Sequence, residues 1–91
     1  MKKVNKELER MIRELGQVKY DNLIAARMDP DKISVDKCGM EEVQRLAEVS
    51  TLQAVYNWRN RGFVPANTAN KIEINSGEEY DSILLARGER A

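Results

Sequence analysis

Apolar side chains in this chain recur at steps of three and four residues, and that period restricts what it can fold into more than any other feature. Leu8, Met11, Ile12 and Leu15 fall at i, i+3, i+4 and i+7, the spacing that lines one face of an α-helix. Tyr20, Leu23, Ile24 and Met28 repeat the pattern, as do Met40, Val43, Leu46 and Ala47. Thr51, Ala54, Val55 and Trp58 share a further face, and Ala66, Ala69 and Ile72 another. Strand-like alternation occurs only at Ile33 and Val35, over too short a span. Punctuation between these faces is also helical in kind. Gly16 reads as a stop for the first helix, and Asp29-Pro30 ends the second, because the residue before proline is pushed out of the α region. Cys38-Gly39 marks another break, Ser50 and Thr51 are N-cap candidates, Gly62 closes the fourth helix, and Asn75-Ser76-Gly77 ends the fifth after Pro65 opens it. The tail, with Tyr80 and Ile83-Leu84-Leu85-Ala86, reads as either a short helix or a strand. The expected fold class is all-α, a small domain of about five helices.

Ninety-one residues suffice for one modest core and leave little room for a deep pocket. Within that single domain, residues 1–28 form an N-terminal helical segment for packing or dimerisation, 29–77 a central unit, and 78–91 a tail. Leu8, Met11, Ile12 and Leu15 suit either an intramolecular core or a dimer seam. No apolar run approaches the ~18 residues of a membrane span, and the basic opening MKKVNKELER has no apolar stretch behind it, unlike a signal peptide. A single cysteine, Cys38, fits a reducing compartment and reads as a small packed residue, so the expectation is cytoplasmic. With no histidine and one cysteine, most zinc sites and all histidine-based catalysis drop out. Asp29, Asp31 and Asp36 lack the bend glycine and closing glutamate of a calcium loop and read as capping or solvated charges. No catalytic residue, metal, cofactor, membrane or small-molecule substrate is expected; the chain reads as a non-enzyme.

Charge is silent in total and uneven in pieces. Fifteen basic residues balance fifteen acidic ones. Yet residues 51–72 carry Arg59, Arg61 and Lys71 with no acid at all. Phosphate binding needs local positive potential, not a basic whole.

Helix, tight turn, helix over residues 40–62 is the outline of a helix-turn-helix. Val55 and Trp58 supply its buried face, while Gln53, Tyr56, Asn57 and Asn60 share the opposite one. An amide can donate and accept together against adenine, so Gln53 and Asn57 are suited to base edges. Tyr56 serves as a phosphate or base contact, or as an ordinary surface tyrosine. Arg59 and Arg61 anchor on phosphates or complement the helix dipole, with Arg61 nearer the reading face.

The run Gln53-Ala54-Val55-Tyr56-Asn57-Trp58-Arg59-Asn60-Arg61-Gly62-Phe63-Val64-Pro65-Ala66, followed by Ala69 and Ile72-Glu73, resembles the Cro-type phage repressors. In that family a recognition helix ending in Trp-Arg-x-Arg-Gly leads through an apolar residue and Pro-Ala into a supporting helix. Cys38-Gly39 corresponds to the family's small-residue pair opening its second helix, and Glu48 stands where the family has a turn glycine. The resemblance covers roughly residues 38–77. It implies a Cro-like fold and DNA contacts at Thr51, Gln53, Tyr56, Asn57 and Arg61; Arg59, Asn60 and Lys71 complete the DNA-binding set. It further implies a phage or prophage autorepressor, nucleoid-associated in a bacterial host, acting as a homodimer on double-stranded operator DNA. The operator would be an inverted repeat with half-sites about 34 Å apart. Two other uses of such a scaffold stand beside it: a protein-interaction module of antitoxin or anti-repressor type, and a DNA-packaging small subunit.

Overall fold

The computed structural model describes residues 4–87, and every regular element in them is helical: α1 (Lys6–Ala25), a 3-10 turn (Pro30–Lys32), α2 (Val35–Ala47), α3 (Leu52–Arg61), α4 (Ala66–Asn75) and α5 (Ser82–Arg87). The all-α expectation holds, with three boundaries redrawn. Gly16 does not end a helix. It lies inside α1, where a Cβ would run into the carbonyl oxygen of Val35; a Cβ on Gly39 would likewise strike the carbonyl oxygen of Ile12. Gly39 is likewise interior, because α2 starts earlier, at Val35, with the Ser34 hydroxyl accepting from the Lys37 amide at 3.1 Å. The two glycines are therefore the point where α1 and α2 cross backbone to backbone. Each costs about 1 kcal/mol of helix propensity relative to alanine, and the close approach they permit offsets it.

One core runs through all five helices. Leu8, Met11 and Ile12 of α1 meet Met40, Val43, Leu46 and Ala47 of α2, Val55 and Trp58 of α3, Ala69 and Ile72 of α4, and Leu85 of α5, with Tyr80 ahead of it. The first apolar row of α1 is thus intramolecular core and not a dimer seam. Beyond Gly16 the helix leaves that core. Tyr20 and Leu23 are half-buried, while Val18, Ile24 and Met28 are exposed. Tyr20, Leu23 and Ile24 thus belong to the outer half of α1 and not to a helix of their own. The helix ends at Ala25 instead of Asp29-Pro30, with Met28 past it and Arg27 left-handed at φ 66. Lys19 ties this half to α2 through Glu41 at 3.0 Å.

The tail is a helix, and buried polar groups hold it. Asn5 caps α1, its Oδ1 accepting from the Leu8 amide at 2.9 Å. Its Nδ2 donates to the carbonyls of Gly62, Leu84 and Leu85 at 3.2, 3.1 and 3.0 Å. One side chain thereby joins the start of α1, the end of α3 and the end of α5. Glu7 accepts from both Arg10 Nε and Nη2, at 3.0 and 2.9 Å, and from the Asp81 amide at 2.8 Å. The Arg10 bond, ahead of the opposing effect of burial, holds the Glu7 carboxyl below its usual range. The Arg10 guanidinium also lies over the Tyr80 ring, 4.7 Å from its centroid, while the Tyr80 hydroxyl donates to Glu14 at 3.1 Å.

Two outcomes follow from this packing. Gly39→Ala drives a methyl into backbone that cannot yield, so urea denaturation should show a loss of about 3 kcal/mol or more. Gly77→Ala, at φ +66 with open space around it, should lose only about 1 kcal/mol; equal losses would contradict the crossing. Burial first, and the Glu14 bond second, push the Tyr80 phenol up from 10.0 to about 12. A raised acid favours the neutral form when folded, so its stabilisation is complete below pH 10 and fades as pH climbs towards 12. Melting temperatures measured across that range should fall more steeply for the wild-type chain than for Tyr80→Phe.

Candidate nucleic-acid interface

The turn between α2 and α3 is built without glycine. Glu48 closes α2 in the left-handed region, at φ 58 and ψ 38. That conformation costs a non-glycine residue about 1–2 kcal/mol, and neighbouring bonds hold it there. The Glu48 amide donates to the Arg45 carbonyl at 3.2 Å. Asn75, at the end of α4, donates Nδ2 to the Leu46 carbonyl at 2.7 Å and to the Glu48 carboxylate at 2.8 Å. Val49 then turns inward, half-buried against the core, and Thr51 takes an extended conformation as the N-cap of α3. The helix therefore starts at Leu52, and Thr51 is exposed instead of sharing the apolar face. Its hydroxyl makes no capping bond.

Val55 and Trp58 fix the inner side of α3, and Arg59 fixes its rotation. Arg59 Nε and Nη2 donate to the two carboxylate oxygens of Glu9, both at 2.7 Å, and Nη1 donates to Asp36 at 2.8 Å. Glu9, then Asp36, raise the guanidinium well above its ordinary range, against the opposing pull of burial. The expectation for Arg59 is corrected here. All three of its nitrogens face protein carboxylates, so it supports α3 and is not presented to phosphates. Asp36, still more than half exposed in the first turn of α2, is in addition a partner of Arg59.

The opposite face is exposed as the period implies. Gln53, Tyr56, Asn57 and Asn60 stand in solvent in one row, with Thr51 ahead of them. Gln53 Nε2 donates to Asn57 Oδ1 at 3.2 Å, so two of the four are already coupled. Arg61 is exposed at the flank of the row, its guanidinium 4.9 Å from the Phe63 ring centroid. Lys71 is exposed on a different helix, α4. With Arg59 neutralised, the positive charge remaining in the acid-free stretch is that of Arg61 and Lys71.

A shallow cleft of about 320 Å³ lies beside this support, lined by Glu9, Ile12, Arg13, Val35, Asp36 and Arg59. The carboxylates of its wall are the ones engaged by Arg59. Among the described residues no cluster of three or more histidine, cysteine, aspartate or glutamate side chains is placed to hold a metal, and no helix is long and apolar enough to cross a membrane. Set against protein-family models, curated proteins and solved structures, the chain matches none of them.

Sequence reasoning did not find Asn75 as the clamp on the turn, nor Glu9 as the partner of Arg59. Neither carries a local signal: Asn75 acts 27 residues from Glu48, and Glu9 acts 50 residues from Arg59. The two arginines of α3 should separate by experiment. Arg59→Ala leaves two carboxylates without their cation and should cost about 2 kcal/mol in chemical denaturation. Arg61→Ala should stay within about 0.5 kcal/mol of wild type. The reverse order would return Arg59 to the surface set.

Proposed function

We propose that the protein is a sequence-specific DNA-binding regulator whose α3 enters the major groove of double-stranded DNA. The observation that carries the reading is the outer face of α3: a row of polar side chains without an acid, set behind a tight turn and held by contacts on its inner side alone. Gln53 and Asn57 read base edges, with Thr51, Tyr56 and Asn60 beside them. Arg61 and Lys71 position the helix on phosphates. The action is steric, a bound repressor of the Cro kind covering a promoter, in keeping with the sequence resemblance over residues 38–77.

A single such helix spans only a few base pairs, so the working form is a homodimer on an inverted repeat with half-sites about 34 Å apart. Leu8, Met11 and Ile12 are spent in the core. Exposed apolar surface that could meet a second copy includes Val18 and Ile24 on outer α1 with Met28 just past it, and Ile83 and Leu84 on α5. Exposure of Phe63, Ile83 and Leu84 also favours a second reading, a protein-interaction module that uses the same scaffold.

Selection of bound duplexes from a randomised pool, followed at two salt concentrations, decides between them. Enrichment of an inverted repeat with steep salt dependence is the expected result. On that repeat Asn57→Ala should lose specific binding while retaining non-specific binding, and Arg61→Ala should weaken both and lower the salt slope by about one. No enrichment, with binding no tighter than ~10⁻⁴ M, would overturn the DNA reading and leave the protein-interaction module.

A further inference from the structure

Resting on that reading, we propose that the base pair beneath Gln53 and Asn57 is A·T, its adenine read through N7 and N6 by the two amides acting as one unit. Guanine is most commonly read by arginine or lysine on O6 and N7. The reading row holds neither. The one arginine within the body of α3, Arg59, is committed to Glu9 and Asp36 at 2.7–2.8 Å, and Arg61 is the last residue of the helix, laid against Phe63.

The bond between the amides determines what they still offer. Gln53 Nε2 donates to Asn57 Oδ1 at 3.2 Å, which leaves the Gln53 Oε1 carbonyl as an acceptor and, as donors, the Asn57 Nδ2 hydrogens and the second Gln53 Nε2 hydrogen. Adenine presents the complement on one base: the N6 amino group donates to Gln53 Oε1, and N7 accepts from Asn57 Nδ2. Guanine presents two acceptors, N7 and O6, and no donor there, so it leaves the Gln53 Oε1 carbonyl without a partner. A cytosine N4 amino group could satisfy Gln53, with O6 of its paired guanine facing Asn57. The neighbouring Tyr56 ring, exposed on the same row, favours A·T over this arrangement, because only thymine brings a methyl group to an apolar surface. Because the two amides are joined before DNA arrives, less rotamer freedom is lost on binding.

The test uses the full chain and the duplex recovered from the randomised pool. Each base pair of a half-site is substituted in turn for wild type, Asn57→Ala and Gln53→Ala; both side chains are exposed, and unchanged melting temperatures would verify intact folding. One position should prefer A·T by about tenfold or more, and both variants should flatten the preference at that same position alone. Replacing its adenine with 7-deazaadenine, which lacks the N7 acceptor, should weaken wild type about tenfold and Asn57→Ala no further. A G·C or C·G preference at the Asn57-dependent position would overturn the inference while leaving DNA binding standing. So would indifference to 7-deazaadenine, or variants that flatten different positions. A pool that yields no enriched duplex overturns the DNA-binding reading itself, and the inference with it.

Discussion

At Gly16 and Gly39, α1 and α2 cross backbone to backbone, and the placement of α3 is built on that crossing. A side chain on either glycine would meet backbone and not a flexible neighbour, so the spacing of the two helices is set by main chain against main chain. That spacing has a consequence one layer out. Glu9 lies in the first turn of α1 and Asp36 in the first turn of α2. Only because the helices run this close do both carboxylates converge on one guanidinium. Arg59 then holds α3 from behind while Val55 and Trp58 hold it from within. The orientation of the exposed polar row follows from two glycines that never touch it.

Small domains bury a modest fraction of their surface, about 60% for a chain near this size, and this one supplements its core with satisfied polar joints. Asn5 binds three carbonyls from two distant segments, Glu7 reaches the backbone at Asp81, and Asn75 closes the glycine-free turn. Asn5 and Glu7 are buried polar groups, and each is given the partners without which burial would be costly. Every buried side-chain nitrogen and oxygen among the described residues is paired. The Asn5 joint also brings the start of α1 and the end of α5 together, since Asn5 and Leu85 lie 80 positions apart.

Elements with an uninterrupted three-and-four period were legible from the residues: the core row of α1, the inner face of α2, and Val55 and Trp58 of α3 with Ala69 and Ile72 of α4, whereas Thr51 and Ala66 at the starts of those two faces are exposed. Signals that a glycine sends are ambiguous without a partner in view. Gly16 and Gly39 read as breaks because glycine in isolation ends helices, whereas here a second helix supplies the reason for its missing side chain. Gly62 and Gly77 read correctly because their role is local, a positive φ after a helix. On α3 the period separates the inner apolar face from the outer amides. It cannot distinguish an arginine that reaches solvent from one that reaches a carboxylate 50 residues away, and so Arg59 and Arg61 looked alike. Glu48 shows the converse: a residue in place of the expected glycine takes the same left-handed turn once Asn75 holds it.

α3 has two faces, one locked to the domain and one exposed, and the exposed face is the one proposed to meet double-stranded DNA. Hydrogen–nitrogen correlation spectra of the labelled protein, recorded while duplex DNA is added, test that division most directly. The side-chain NH2 signals of Gln53 and Asn57 and the backbone amides of Thr51 to Arg61 should shift first and furthest, while the Arg59 Nε–H signal stays with its carboxylate partners. Shifts gathered instead on outer α1 or α5, with the α3 amides unmoved, would contradict it.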